Sequence, residues 1–150
     1  MRAVIQRVRK SSVEIDGKIK AEIGAGFNIL VGIGLEDSRE DADWLAAKIS
    51  TLRVFNDDEG VMNLSINQVR GEVLAISQFT LHAKTKKGSR PSYIRAAKPD
   101  IAIPLYEYFL DRLQWEIEGK VASGVFGADM KVLIDNDGPV TIIIDTKDKQ

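Results

Sequence analysis

Two stretches of this chain carry apolar residues at helical spacing, and the other apolar runs are written at the period of a strand. Residues 38 to 52 place Ala42, Leu45, Ile49 and Leu52 on one face, with Asp37 or Ser38 available as the N-cap. Residues 100 to 115 stack Ile101, Leu105, Phe109 and Leu113 at i+4. Pro104 sits too deep for the first turn of a helix beginning at Pro99, so the sequence predicts a kink there or a start nearer Ile103. Around the helices, residues 3 to 8 and 12 to 15 read as strands, Asp16-Gly17 as a tight turn, and 19 to 23 as the returning strand. Residues 27 to 33 and 72 to 78 are buried apolar strands, and 54 and 55 a short one before a turn over 56 to 60. Residues 130 to 134 and 140 to 145 read as a last strand pair, joined by an Asn136-Asp137-Gly138-Pro139 turn. Strand blocks around two helices, without a regular strand-helix repeat, predict an α+β fold with a mostly antiparallel, barrel-like sheet.

The chain has 150 residues, 44% of them hydrophobic, enough for one core, so residues 1 to 150 are expected to form a single domain. A net charge of -1 gives no global pull toward nucleic acid, so any such pull must come from where the charges lie. Lys84, Lys86, Lys87, Arg90, Arg95 and Lys98 follow one another with no acid between them. Cysteine is absent, which removes thiolate ligands and nucleophiles and fits a reducing compartment. No apolar run reaches membrane-spanning length and the N-terminal residues lack a signal core, so a cytoplasmic location is the expectation. The final residues 147 to 150 read as frayed.

Two polar clusters stand where a structural strand would carry apolar residues. Ser77-Gln78-Phe79-Thr80-Leu81 places a hydroxyl, an amide, a ring and a second hydroxyl on alternating faces of an extended segment. An ordinary strand end explains it as readily. Gly138-Pro139 has a plain reading as a turn, and either isomer of its peptide bond is open. The basic loop over residues 84 to 90 is a solvated loop or a phosphate-holding one. His82 is the one histidine and lacks an evident metal cluster or cysteine partner. No HExxH, P-loop or GxSxG pattern is present, which argues against metal-assisted and triad hydrolysis.

These clusters belong to a longer ordered series: MRAVIQRV at 1 to 8, VEIDG at 13 to 17, MNLS at 62 to 65, SQFTL, KGSRPS at 87 to 92, PLYE at 104 to 107, FGADM at 126 to 130, and NDGPVT at 136 to 141. The series resembles the D-aminoacyl-tRNA deacylase family along nearly the whole chain. The resemblance implies a homodimer with active sites at the subunit interface. It implies hydrolysis of the ester between a D-amino acid and the terminal adenosine of tRNA, with glycine mischarged on tRNA as a further substrate. The family's Gly-cisPro motif falls on Gly138 and Pro139, which would reach into the partner's pocket. Ser77, Gln78, Phe79 and Thr80 would line that pocket with Met130, without metal or cofactor, while Lys86, Lys87 and Arg90 would meet the RNA.

An aminoacyl ester is already activated, so such a hydrolase needs oxyanion donors and a water; backbone N–H groups around Phe79 and Thr80 are candidate donors. A rigid Gly-Pro corner with bare carbonyls would reject the L form without sensing side-chain identity. Two routes stay open: Thr80 as nucleophile, or direct water attack aided by the RNA 2′-hydroxyl. The second is preferred, since Thr80 has no base evident in the sequence. The competing readings are a non-catalytic RNA-end-binding module and an RNA-independent hydrolase of D-amino acid esters.

Overall fold

The computed structural model describes residues 1–149. Its centre is β1 (Arg2–Ile15), one continuous strand rather than the two shorter ones the sequence predicts. Arg9 and Lys10, which interrupt the apolar pattern, are exposed residues within the strand and do not end it. Asp16 and Gly17 take positive φ angles of 51° and 76°, the conformation of a hairpin turn, and return the chain into β2 (Lys18–Ile23). β2 pairs with residues 11 to 15 of β1, and β3 (Gly26–Gly32) with residues 2 to 8.

The next strands depart from the antiparallel expectation. After β3 the chain crosses through α1 (Arg39–Thr51) and the small pair β4 (Phe55–Asn56) and β5 (Met62–Leu64), and returns as β6 (Glu72–Ser77) parallel to β3. A crossover helix allows that direction where a tight turn would not. A second crossover, α2 (Pro99–Glu116), leads to β7 (Val121–Ser123), parallel to β6 and too short to carry a strand period. The expected α+β class holds, with two helices and a mixed sheet nearly closed into a barrel.

β8 (Lys131–Asp145) corrects the last strand pair. It lies antiparallel along nearly all of β1, with Gln6 opposite Thr141 and Val8 opposite Asn136. Two residue steps on β1 therefore face five on β8, and the Asn-Asp-Gly-Pro segment is a bulge inside one strand, not a turn between two. Both halves find partners on the same long strand, so the chain never reverses.

Residues of alternate phase fill two cores. Ile5, Phe27, Ile29, Val73 and Ala75 face α1 and α2, packing on Leu45, Ile49, Phe109 and Leu113. Val8, Val13, Ile23, Leu74 and Ile76 face the barrel interior with Met130 and Val132. β6 is buried on both faces, the reason its sequence is an unbroken apolar run.

α1 begins as expected after Ser38, whose N–H donates to Asp41 at 2.8 Å. α2 starts at Pro99 and runs through Pro104 without the later start the proline suggested. The bond Pro104 cannot donate would go to the carbonyl of Asp100, and both residues are exposed, so that carbonyl can face solvent. Residues 147 to 149 are not frayed. Lys147 Nζ pairs with Asp41 at 2.8 Å and Lys149 lies over the Trp44 ring at 4.4 Å. Burial alone would raise the Asp41 carboxyl, but hydrogen bonds from Lys147, Thr146 and Ser38 hold it well below the usual range. Gln150 lies outside the described residues. No helix among those residues is long and apolar enough to cross a membrane.

Candidate active site

The first half of the site is where β6 leaves the sheet. Tyr106, buried on α2, donates its hydroxyl to the Ala75 carbonyl at 3.1 Å, and burial pushes its phenol up, so it stays a neutral donor. Gln78 N–H donates to Val31 at 2.7 Å and holds the segment beside β3 to its end. Gly32 allows this approach, since a Cβ there would lie 2.8 Å from the Gln78 carbonyl oxygen. Past Gln78 the chain turns into a single 3₁₀ turn, Phe79–His82, whose first amides have no acceptor within the turn.

Ser77, Gln78 and Phe79 line a cavity of about 280 Å³ with Ile76, Val132 and the segment 126 to 130, which includes Met130. Three of the four SQFT residues thus share this cavity with Met130. Thr80 is absent from the lining. Its Oγ1 accepts a hydrogen bond from Gln78 Nε2 at 2.5 Å, which engages a lone pair and leaves the hydroxyl proton free to donate. That partner is an amide and not a base. His82 faces a different cavity, lined by Met1, Gly34 and Arg95 among others, and is buried with no hydrogen-bond partner at Nε2.

Beyond the turn lies the basic loop. Lys84 and Ser92 exchange backbone hydrogen bonds of 2.8 and 3.0 Å, closing a hairpin with Gly88 at φ 70°. Lys86, Lys87 and Arg90 are exposed, and none joins a salt bridge among the described residues.

The β8 bulge is built differently. Arg7 follows Ala3 and Ile5 on the inward phase of β1, and its side chain is 7% exposed. It donates to the Val54 carbonyl at 2.6 Å, to the Asp137 carbonyl at 3.2 Å and to Asn56 Oδ1 at 3.3 Å, and pairs with the Asp137 carboxylate at 3.1 Å. The bulge is tied down by a buried cation. The Gly138–Pro139 peptide is cis, and Gly138 takes φ 124°. Gly138 and Pro139 do not line the Ser77 cavity of their own chain. Arg7 is opposite Phe27, which pairs with Val73, four residues before Ser77 on β6, so the bulge lies roughly 13 Å back along the strand direction.

Residues 4–145 match the family described as D-Tyr-tRNA(Tyr) deacylase. The chain belongs to that family. It is similar to proteins named D-aminoacyl-tRNA deacylase from Flavobacterium psychrophilum, 58% identical, and Bacteroides fragilis strain YCH46, 61% identical, with all of both chains covered in each case. A solved structure titled c-Myc DNA Unwinding Element Binding Protein is 39% identical with a TM-score of 0.92, covering 97% of this chain and 98% of that one. A structure titled as a probable eukaryotic D-amino acid tRNA deacylase shares the fold at a TM-score of 0.80 and 17% identity, covering 95% and 97%.

Three features of this D-Tyr-tRNA(Tyr) deacylase family member escape a reading of the residues one by one. Arg7 does carry a signal, a charge on the buried phase of an apolar strand. Phe126 and its neighbours form one wall of the cavity, and Tyr106 braces them with ring centroids 5.9 Å apart. A loop with no period gives no such hint.

Proposed function

We propose that this chain hydrolyses the ester of D-aminoacyl-tRNA, releasing tRNA and the D-amino acid. The observation that carries the reading is the Ser77–Phe79 cavity, joined through the Phe79–Tyr93 contact to a cationic hairpin without salt bridges among the described residues, in a chain of the D-Tyr-tRNA(Tyr) deacylase family. The cavity holds the aminoacyl end, and Lys86, Lys87 and Arg90 hold phosphates of the RNA. The amides of Phe79 and Thr80 stabilise the developing oxyanion while a water attacks, helped by the RNA 2′-hydroxyl. The Thr80 hydroxyl positions and does not attack, consistent with its bond from the Gln78 amide.

The second subunit of a homodimer supplies Gly138 and Pro139. Two observations support this: the pair lies away from its own chain's cavity, and β8 presents a long second edge with exposed Leu133 and Ile143 and no strand partner among the described residues. The Gly138-Pro139 carbonyls then form the wall that turns away L substrates and leaves achiral glycine on tRNA open to cleavage. The work is cytoplasmic, where charged tRNA is used.

The test compares release from D-aminoacyl-tRNA, L-aminoacyl-tRNA, glycyl-tRNA and a free D-amino acid ester. Cleavage of the D and glycyl RNA substrates, with the L form and the free ester spared, is expected. Equal turnover of the free ester would favour the RNA-independent hydrolase, and binding without turnover the RNA-end module. Mixing Phe79→Ala and Gly138→Ala subunits yields D-selective hydrolysis above that of either variant alone if the two halves come from different chains.

A further inference from the structure

Phe79 lines the cavity and meets the Tyr93 ring edge-on outside it, with ring centroids 5.0 Å apart and planes at 74°. They are 54% and 39% exposed, and Ile94 beside them is 71% exposed. Large apolar groups left open to water in this way mark a contact surface, not a core. Their backbone is well held. Ala96 N–H donates to the Tyr93 carbonyl at 2.9 Å, and Ala97 N–H to Ile33 at the end of β3 at 2.9 Å. The Lys84–Ser92 hydrogen bonds close the other side, so Tyr93 follows directly on the cationic hairpin.

Phe79 thus links the cavity to Tyr93, and Tyr93 follows Ser92, which closes the cationic hairpin. A strand of RNA that puts its terminal adenosine ester at Ser77 and its phosphates on Lys86, Lys87 and Arg90 must pass over the rings in between. A cavity of about 280 Å³ is at the small end for ligand sites and leaves the next nucleotide outside. Single-stranded RNA is gripped by this combination of a cationic track and exposed aromatic faces on which bases stack.

Resting on the deacylase reading, we propose that Tyr93, backed edge-on by Phe79, is the stacking platform for the base that precedes the terminal adenosine of the substrate's single-stranded 3′ end. It is a binding residue that lets the enzyme distinguish an aminoacylated RNA end from an aminoacylated nucleoside. A ring that served only to close the loop would act on both substrates alike.

The experiment uses the full chain, an RNA hairpin with a single-stranded 3′ end, and Tyr93→Leu and Tyr93→Phe variants. With 2-aminopurine in the penultimate position, wild type and Tyr93→Phe quench its fluorescence and Tyr93→Leu does not. The ratio of kcat/KM for the D-aminoacyl hairpin to that for D-aminoacyl-adenosine falls about 5- to 150-fold in Tyr93→Leu, carried by KM, and holds in Tyr93→Phe. An unchanged ratio in Tyr93→Leu, unquenched fluorescence in wild type, or equal damage by both variants overturns the platform. Wild type that quenches but cleaves neither D substrate supports the platform and overturns the deacylase reading alone.

Discussion

The two halves of the site are made by opposite means. At the end of β6, Ser77, Gln78 and Phe79 line a cavity, and the backbone beneath them is fixed by a strand buried on both faces. At the β8 bulge the backbone itself is the distinctive feature, and a side chain from the neighbouring strand, Arg7, fixes it. In the proposed mechanism the difference becomes a division of labour, with the first half holding the RNA and the ester and the second sorting by chirality. It also makes the halves separable by mutation.

The largest effect is expected from Arg7→Leu. It leaves the Val54 carbonyl and Asp137 without their donor, and should cost about 2–4 kcal/mol in stability, read from urea midpoints, together with most of the activity. A stable, fully active variant would show that the bulge needs no tether.

Gly138→Ala comes next. A Cβ there would meet the Val140 nitrogen at 3.0 Å and Arg7 Nη2 at 3.1 Å, on a residue with φ 124°. We expect about 1–3 kcal/mol of destabilisation and at least a tenfold fall in the ratio of D to L hydrolysis on tRNA. Retained selectivity would remove chirality from the second half.

Neutralising Lys86, Lys87 and Arg90 together sharpens the comparison from the other side. The slope of log affinity against log salt should shrink by about 2–3 for three phosphate contacts, with the D-to-L ratio intact. An unaltered slope would return the hairpin to a solvated loop.

Thr80→Ala should have the smallest consequence, less than about tenfold in kcat, the scale of one neutral hydrogen bond. Mass spectrometry that traps an acyl group on Thr80 would make the hydroxyl the nucleophile.

Much of this was readable because local pattern and tertiary role coincide. The hairpin at Asp16-Gly17, the capped start of α1 and the SQFT cluster all follow from residues close in sequence. What escaped depends on partners far away. Strand direction at β6 is set by the crossover, not by the apolar run itself. The NDGP segment has the composition of a turn, and it is a bulge because β1 is long enough to pair on both sides of it. Polar residues 147 to 149 look frayed until Asp41 and Trp44 are seen beneath them. The cavity joins residues 76 to 79 to 126 to 132, and no spacing rule links those stretches.

The pairing of β1 with β8 also has a temporal side. More than a hundred residues separate the two strands, and a ribosome adds roughly 5–20 residues per second. For roughly 6 to 23 s, then, the strand at the centre of the finished sheet has one flank bare, a template for mispairing whenever many copies are being made at once. Arg9 and Lys10, exposed midway along that flank, are the charges that would keep nascent chains apart until the last strand arrives.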